Sequence, residues 1–443
     1  MPVRSHHTAA PAGAQPRALV ADAWVTDVIA QLPADLEPQA RTHKAFTRRR
    51  GLACASDLLR ALLAFVLADH STRSLGAWAV LLGVADISEA AWRKRLIASG
   101  PWLGWLLSAL LAVSPATPPT TPRRVRLIDA TRLGQVGRGG DAWRVHWDYD
   151  LTAGRLGSVV LTDHHGGEHL ERFVLAPEEI LVADSGYGYR RSVAHAAAAH
   201  ADVVLRIHPA TCPLEEQGGQ LCDVLAWLQQ PGSATRAWVG WCRWKGQRYR
   251  VRLVASRLPP EQAAQARTRK QRKARKRGRR SAASTHVVAG WLLVLTTLDA
   301  SAWPAEAVLR LYRARWQVEV VFKRCKQLLR VRSLRCRRRD VAEATVRALL
   351  IAWVLPEQLA GDRRQALAPD SPCPVSSWRV CPISLDTVRQ EVLGRWTRAR
   401  LRACLPRRRR FLCGSPRQRT QQETHLRDWL HRRTHPAGQR MAA

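Results

Sequence analysis

Two short apolar runs constrain this chain more than any other feature. Val125-Arg126-Leu127-Ile128-Asp129 and Ile180-Leu181-Val182-Ala183-Asp184 each end on an aspartate. Runs this short and this rich in branched residues read as sheet strands, and the second passes straight into the turn Ser185-Gly186-Tyr187-Gly188. Strand ends of a parallel or mixed sheet gather along one edge, which is where such sheets bind ligands. The expectation is therefore two carboxylates side by side at one sheet edge. Arg144–Leu151, Ser158–Leu161 and Val203–Ile207 read as further strands, with turns at Gly137–Gly140 and Gly166-Gly167. Ser192–Ala201 reads as an Ala-rich helix. The fold class is α/β.

The texture on either side is different. Residues 20–115 carry Ala/Leu-rich periodic runs (Ala53–Leu67, Leu75–Val84, Ala90–Val113), and Pro115–Pro122 ends them as a linker. With Arg48–Arg50 and Arg93-Lys94-Arg95 among them, they read either as a small bundle with solvated charges or as a DNA-binding helical domain. Trp238–Arg252 reads as a hairpin around a Lys-Gly turn. The basic run Arg267–Arg280 follows, either solvated or facing phosphate, and then the strand Trp291–Thr297. This divides the chain into an all-helical N-terminal domain with linker (1–122), an α/β part (123–210), a β-rich part with the basic run (211–286), a strand-and-helix part (287–352) and a weakly ordered basic C-terminal region (353–443).

The net charge decides the class of partner. Lys and Arg number 71 against 35 Asp and Glu, a formal +36, which points to a polyanion, nucleic acid before an anionic membrane. The longest apolar stretch, Trp102–Val113, is too short for the ~20 residues of a membrane span. Residues 1–20 contain no apolar signal core. Ten cysteines without a Cys-x-x-Cys pair are neither a disulfide scaffold nor a zinc site, so the chain is expected in the cytosol with reduced thiols.

The chemistry concentrates on the predicted helix Ala305–Arg330. Tyr312, Arg315, Glu319 and Lys326 fall within an arc of about 60° on a wheel of ~100° per residue. Leu311, Val318, Phe322 and Leu329 form the adjoining buried stripe. Arg315 and Glu319 alone could be an ordinary surface ion pair. With Asp129 and Asp184 beside it, Glu319 completes a set of three carboxylates, which repel one another unless a cation neutralises them. An all-oxygen donor set suits Mg²⁺ or Mn²⁺ rather than zinc, and two such ions serve phosphoryl transfer.

These residues make the sequence recognisable. Ile128-Asp129-Ala130-Thr131, Val182-Ala183-Asp184-Ser185-Gly186-Tyr187-Gly188 and the Tyr312/Arg315/Glu319/Lys326 signature resemble the insertion sequence 4 family of DDE transposases, over roughly residues 20–352. The resemblance implies a ribonuclease-H-like catalytic core, interrupted before the Glu helix by a largely β insertion. It implies Asp129, Asp184 and Glu319 as the catalytic and metal-binding triad, with Tyr312, Arg315 and Lys326 on phosphates near the cleaved strand. It further implies binding of terminal inverted repeats and target DNA by a homodimer assembled on DNA. In the family that the sequence resembles, cleavage uses water, then the freed 3′-hydroxyl attacks, often through a hairpin in which tryptophan holds a flipped base. Trp291 and Trp316 occupy similar positions. The apolar strand around Trp291 favours a packing role, whereas Trp316 lies off the buried stripe and favours base stacking. Ser185 departs from the family, which often has arginine there.

Other polar residues read as structural. Asp141, Asp148, Asp150 and Asp163 look solvated or turn-capping, and His164-His165 lack a third metal ligand nearby. His146 and Arg206 sit on strands and could reach DNA, with satisfied strand residues as the default. Three functions remain in view: a transposase, a related metal-dependent nuclease without strand transfer, and an inactive DNA-binding remnant. The intact triad and its Tyr, Arg and Lys companions speak against the last.

Overall fold

The computed structural model describes residues 24–112, 123–136, 141–152, 155–329, 333–336, 338–367, 377–395 and 398–407. Pro115–Pro122, Gly137–Gly140 and all but Arg407 of the Arg407–Arg410 run lie outside them. Among the described residues five α-helices precede the first strand: α1 (Leu36–Thr42), α2 (Ala55–Leu67), α3 (Thr72–Leu82), α4 (Glu89–Ala98) and α5 (Gly100–Ala112). Local signals set their ends. Ser71 and Ser74 form a reciprocal capping box on α3, and Gly83 closes it in the left-handed conformation at φ 74°. The Ser88 side chain caps α4 by accepting from the Ala91 N–H. Leu58, Leu59, Leu62 and Leu63 of α2 are fully buried. No single helix among the described residues is long and apolar enough to cross a membrane.

The sheet begins with an antiparallel meander, β1 (Val125–Gln135), β2 (Asp141–Asp150) and β3 (Arg155–Asp163). β4 (Ile180–Ala183) runs parallel to β1, and after α6 (Arg190–Ala198), β5 (Asp202–Arg206) runs parallel to β4. The order β3-β2-β1-β4-β5 is thus three antiparallel strands flanked by two parallel ones, the ribonuclease-H-like arrangement. Next come α7 (Val224–Gln229), β6 (Thr235–Trp244), β7 (Gln247–Arg257), α8 (Pro260–Arg275), α9 (Ala283–Val288) and β8 (Trp291–Thr296). β8 pairs antiparallel with β5, β7 with β8 and β6 with β7, so the inserted hairpin continues the central sheet. The hairpin turns through Lys245 (φ 48°) and Gly246 (φ 81°), the left-handed pair that a two-residue turn requires. The segment is as helical as it is β: the Arg267–Arg280 run forms most of the second half of α8 and its exit.

Helices α10 (Ala305–Ala314) and α11 (Trp316–Leu328) lead to the short β9 (Ser333–Leu334), which pairs with β1. The C-terminal part departs from expectation. α12 (Arg339–Leu367) runs through residue 352 without a break, and α13 (Ser377–Leu393) and α14 (Arg398–Ala403) follow. Leu385, Val388 and Val392 are buried in the core that the N-terminal helices share with one sheet face. Arg60 of α2 donates to the Val392 carbonyl at 2.9 Å, and Trp78 of α3 to the Leu393 carbonyl at 3.2 Å. Pro356 and Pro382 lie inside α12 and α13, so a pattern reading that treats proline as a breaker misses both helices.

Asp148 and Asp150 also depart from expectation, being buried rather than solvated. Arg126 on β1 donates to Asp148 at 2.7 Å and to Glu179 at 2.7 Å. Arg124 donates to Asp150 at 2.6 Å and to Glu179 at 2.9 Å. Burial works against the Arg126 guanidinium, but Asp148 and Glu179 hold its proton more tightly than usual. Asp163 does cap its turn, accepting from the backbone N–H groups of His165 and Gly166.

Candidate active site

The register of the parallel strands builds the site. Ile128 is paired with Ala183, and Ala183 with Leu205, so the next residues along, Asp129, Asp184 and Arg206, stand side by side on β1, β4 and β5. Side chains alternate across a sheet. Leu127, Val182 and Val204 belong to the core facing the N-terminal helices, and Ile128, Ala183 and Leu205 to the opposite core. Asp129, Asp184 and Arg206 therefore share the first face, the one that α10 and α11 cover. Asp129 does not end its strand: β1 continues to Gln135 because β2 goes on pairing with it after β4 has stopped.

α10 and α11 are two helices where the sequence suggests one. The junction is Arg315, where the backbone tightens: Arg315 donates to the Tyr312 carbonyl and Val318 to the Arg315 carbonyl, each at 3.1 Å. These three-residue bonds replace the four-residue ladder for one step. Val318 and Phe322 are buried below, with Phe322 stacked on Trp147 at 4.0 Å. This packing holds α11 against β1 and aims Glu319 at the sheet edge.

Arg315 joins the helix pair to the strand. Its guanidinium donates to Glu319 at 2.6 Å and to Asp129 at 3.5 Å, and it lies 5.9 Å from the Tyr312 ring centre. Burial works against its charge, yet Tyr312, Glu319 and Asp129 together hold the proton above the usual arginine range. Burial pushes the Asp129 carboxyl up to about 7; Asp184 and Glu319 push the same way, against Arg315 and the Ala130 N–H. Asp184 accepts from the Gly186 N–H at 2.8 Å, which folds the turn after β4 back onto the strand end. At Gly188 the turn passes so close to β5 that a Cβ would stand 2.3 Å from the Arg206 carbonyl, so only glycine fits there.

The other residues singled out by sequence fall in different places. Lys326 donates to the Arg132 carbonyl at 3.1 Å, three residues beyond Asp129 along β1. Trp316 is 60% exposed at the start of α11. Trp291 is 6% exposed, with the guanidinium groups of Arg236 and Arg257 about 5 Å from its ring centre. Packing among strands leaves that ring no open face for a base. His146 is fully buried beside Tyr187 and Thr162, which removes it from contact with DNA. Burial, with Arg172 and Arg144 nearby, lowers its pKa to about 3. Arg206 is exposed.

Sequence reasoning missed Glu168. It reaches the site from the loop after β3, against Gly186 and within 3.5 Å of Arg144. Burial, then the Asp184 charge, raises its pKa. Only its place after the Gly166-Gly167 turn hints at it.

The donor chemistry fits a hard divalent cation, because every candidate ligand is a carboxylate. Burial first, and then the charges of Asp184 and Glu319, keep Asp129 protonated to about 7, and a cation beside it would offset both. Arg315 supplies the positive charge between the acids. Among the described residues no group of three or more His, Cys, Asp or Glu is drawn together closely enough to hold a metal ion. Arg315 occupies the space between Glu319 and Asp129, and a cation held by both would displace it.

A protonation effect follows for the chain without metal. Asp129 is raised from 3.8 unfolded to about 7 folded, so its contribution to stability is full below about 4 and is lost as pH rises toward 7. Asp129→Asn removes this loss. The variant's thermal midpoint, measured in chelator, is expected to exceed that of the parent by a margin that grows from pH 4 to pH 7 and then levels off. A margin that does not change with pH would exclude the buried acid as its source.

Comparison with known proteins agrees with this geometry. A family model described as "Transposase DDE domain" matches residues 120–355, from before β1 into α12. The InsL protein for insertion sequence element IS186A of Escherichia coli (strain K12) is 36% identical over 335 residues, 74% of this chain and 90% of that protein. The transposase for insertion sequence element IS421 of Escherichia coli is 35% identical over 336 residues, 74% of this chain and 91% of that protein. With the ribonuclease-H-like sheet and the aligned acids, these matches show that the chain belongs to the DDE transposase family of insertion sequences, enzymes that cleave and transfer DNA strands.

Proposed function

We propose that Asp129, Asp184 and Glu319 are the catalytic triad of a transposase that binds the terminal inverted repeats of its own element, cuts there, and joins the 3′-hydroxyl to target DNA. The observation that carries this is the pairing register, which sets Asp129 beside Asp184 while Arg315 ties Asp129 to Glu319. Family membership implies a divalent metal ion. We infer two ions, Mg²⁺ or Mn²⁺, held by the three carboxylates. When bound, such ions activate the attacking oxygen and stabilise the leaving one.

The chain's own residues do the rest. Arg315, freed from its carboxylates, turns its fork to the phosphate next to the reacting one. Tyr312, 8% exposed under that guanidinium, fixes where the fork can point. Lys326 holds a phosphate further along the strand, on the β1 side. Trp316 offers an exposed ring beside Arg315 for a displaced base, a contact of ~1–3 kcal/mol. Two element ends must be held at once, which a homodimer assembled on DNA provides, in the bacterial cytosol and nucleoid.

The test is a reaction with purified protein, Mg²⁺ or, in parallel, Mn²⁺, a labelled duplex carrying the inverted repeat that flanks the gene, and a supercoiled target plasmid. Cut ends and joined products are expected together. Cleavage with no joined product would favour the nuclease reading, and no cleavage in either metal would favour the DNA-binding remnant.

A further inference from the structure

The chain leaves and re-enters the sheet at the catalytic edge, and between those points it makes its most basic helix. β4 and β5 are parallel and end at that edge with Asp184 and Arg206. β8 is antiparallel to β5 and so begins there, with Trp291. β7 is antiparallel to β8 and so finishes there, Arg257 being paired with Trp291. α8 follows β7 directly, and α9 returns the chain to β8. Arg267 is tied inward, donating to the His286 carbonyl of α9. Arg269, Lys270, Arg272 and Lys273 are exposed, and the one acid on the helix is Glu261 in its first turn.

Lys270 lies within electrostatic reach of Arg206, the residue that ends β5. It is near enough to Arg206 and Lys273 for their charges, after burial, to depress its pKa, and it acts on His208 in the same way. Arg206 in turn acts on Tyr312. Exposed cations within electrostatic reach of one another repel in the chain alone and favour a polyanion. We propose that Arg206, Lys270 and Lys273 form a phosphate-binding track that runs from the catalytic acids out along α8. It rests on the transposase reading above. Lys326 lies over β1 on one side of the acids and the track leads off past β5 on the other, so the bound strand crosses the sheet edge from β1 toward β5 and α8. The ligand is the phosphodiester backbone of one DNA segment, either the element end or the DNA beyond the cut.

The experiment compares the full chain with Lys270→Ala/Lys273→Ala, and with Lys245→Ala/Arg250→Ala toward the opposite end of the β6–β7 hairpin. Affinity for a mixed-sequence duplex is measured against salt in chelator, so that the outcome is independent of whether the protein cleaves. Each lost phosphate contact lowers the slope of log affinity against log salt by about 0.9, so the α8 pair should lower it by about 1.8. The hairpin pair should leave it unchanged. Equal changes in both, or none in the α8 pair, would overturn the track. Hydroxyl-radical footprinting on an uncut end duplex with its flank then tells the two sources apart. Protection lost in the α8 variant on the element side assigns the track to the end, and on the far side to flanking DNA. Protection that is unchanged on both sides overturns the proposal.

Discussion

Glu319→Gln is expected to abolish both cleavage and joining while DNA binding survives. Glutamine keeps the shape of the side chain but removes the charge that the proposed metal site needs. Charge stabilisation by a bound cation contributes several kcal/mol to such a transition state. At 1.36 kcal/mol per tenfold, the loss is at least about 10³-fold in the single-turnover rate. Binding survives because the variant leaves Arg315 a neutral acceptor in place of its 2.6 Å carboxylate partner, and a phosphate outcompetes that more easily. Gel-shift titration beside single-turnover cleavage separates the two effects. A variant that still cuts within tenfold of the parent would take Glu319 out of the triad. One that loses binding as well would make Glu319 a structural acid.

Arg126→Met is expected to cost ~3–5 kcal/mol of stability, because it strands Asp148 and Glu179 in the protein without their shared cation. Among the described residues Asp148 keeps Ser158 on its β3 side, and Glu179 keeps Arg124 as its cation. Urea unfolding measures the loss. Arg126→Lys should lose less, since it restores the charge without the fork that spans both acids. If Arg126→Met unfolds within about 1 kcal/mol of the parent, water or side-chain rearrangement compensates the acids and the network is not what holds the start of β1 to β2.

The site was more legible than its surroundings, for reasons that lie in particular residues. Asp184 could be read because β4 is short, wholly apolar and cut off by a glycine turn. Asp129 could be read from the same pattern, although its strand runs on to Gln135. That extension depends on pairing with β2, a tertiary fact with no local signal. The helical wheel placed Tyr312, Arg315 and Glu319 together, but not the tightening at Arg315 that divides the helix. Glu168 was invisible because Arg144 and the bare Cα of Gly186 place it, and neither is near it in sequence. Asp148 reads as a solvated acid until Arg126, on the neighbouring strand, is brought against it. The C-terminal helices were hidden by Pro356 and Pro382, which a packed helix tolerates when neighbours hold both halves.

The contacts between Arg60 and Val392 and between Trp78 and Leu393 span more than 300 residues of sequence. Long-range closure of this kind slows folding, and during synthesis its second half arrives last. The N-terminal helices must therefore wait on the ribosome with the α13 side of their core uncovered. A nascent chain cut short before α13 keeps Asp129, Asp184 and Glu319 yet lacks the Glu391 and Val392 carbonyls to which Arg60 donates. In this enzyme α13 must be translated before the helical layer over the sheet can close.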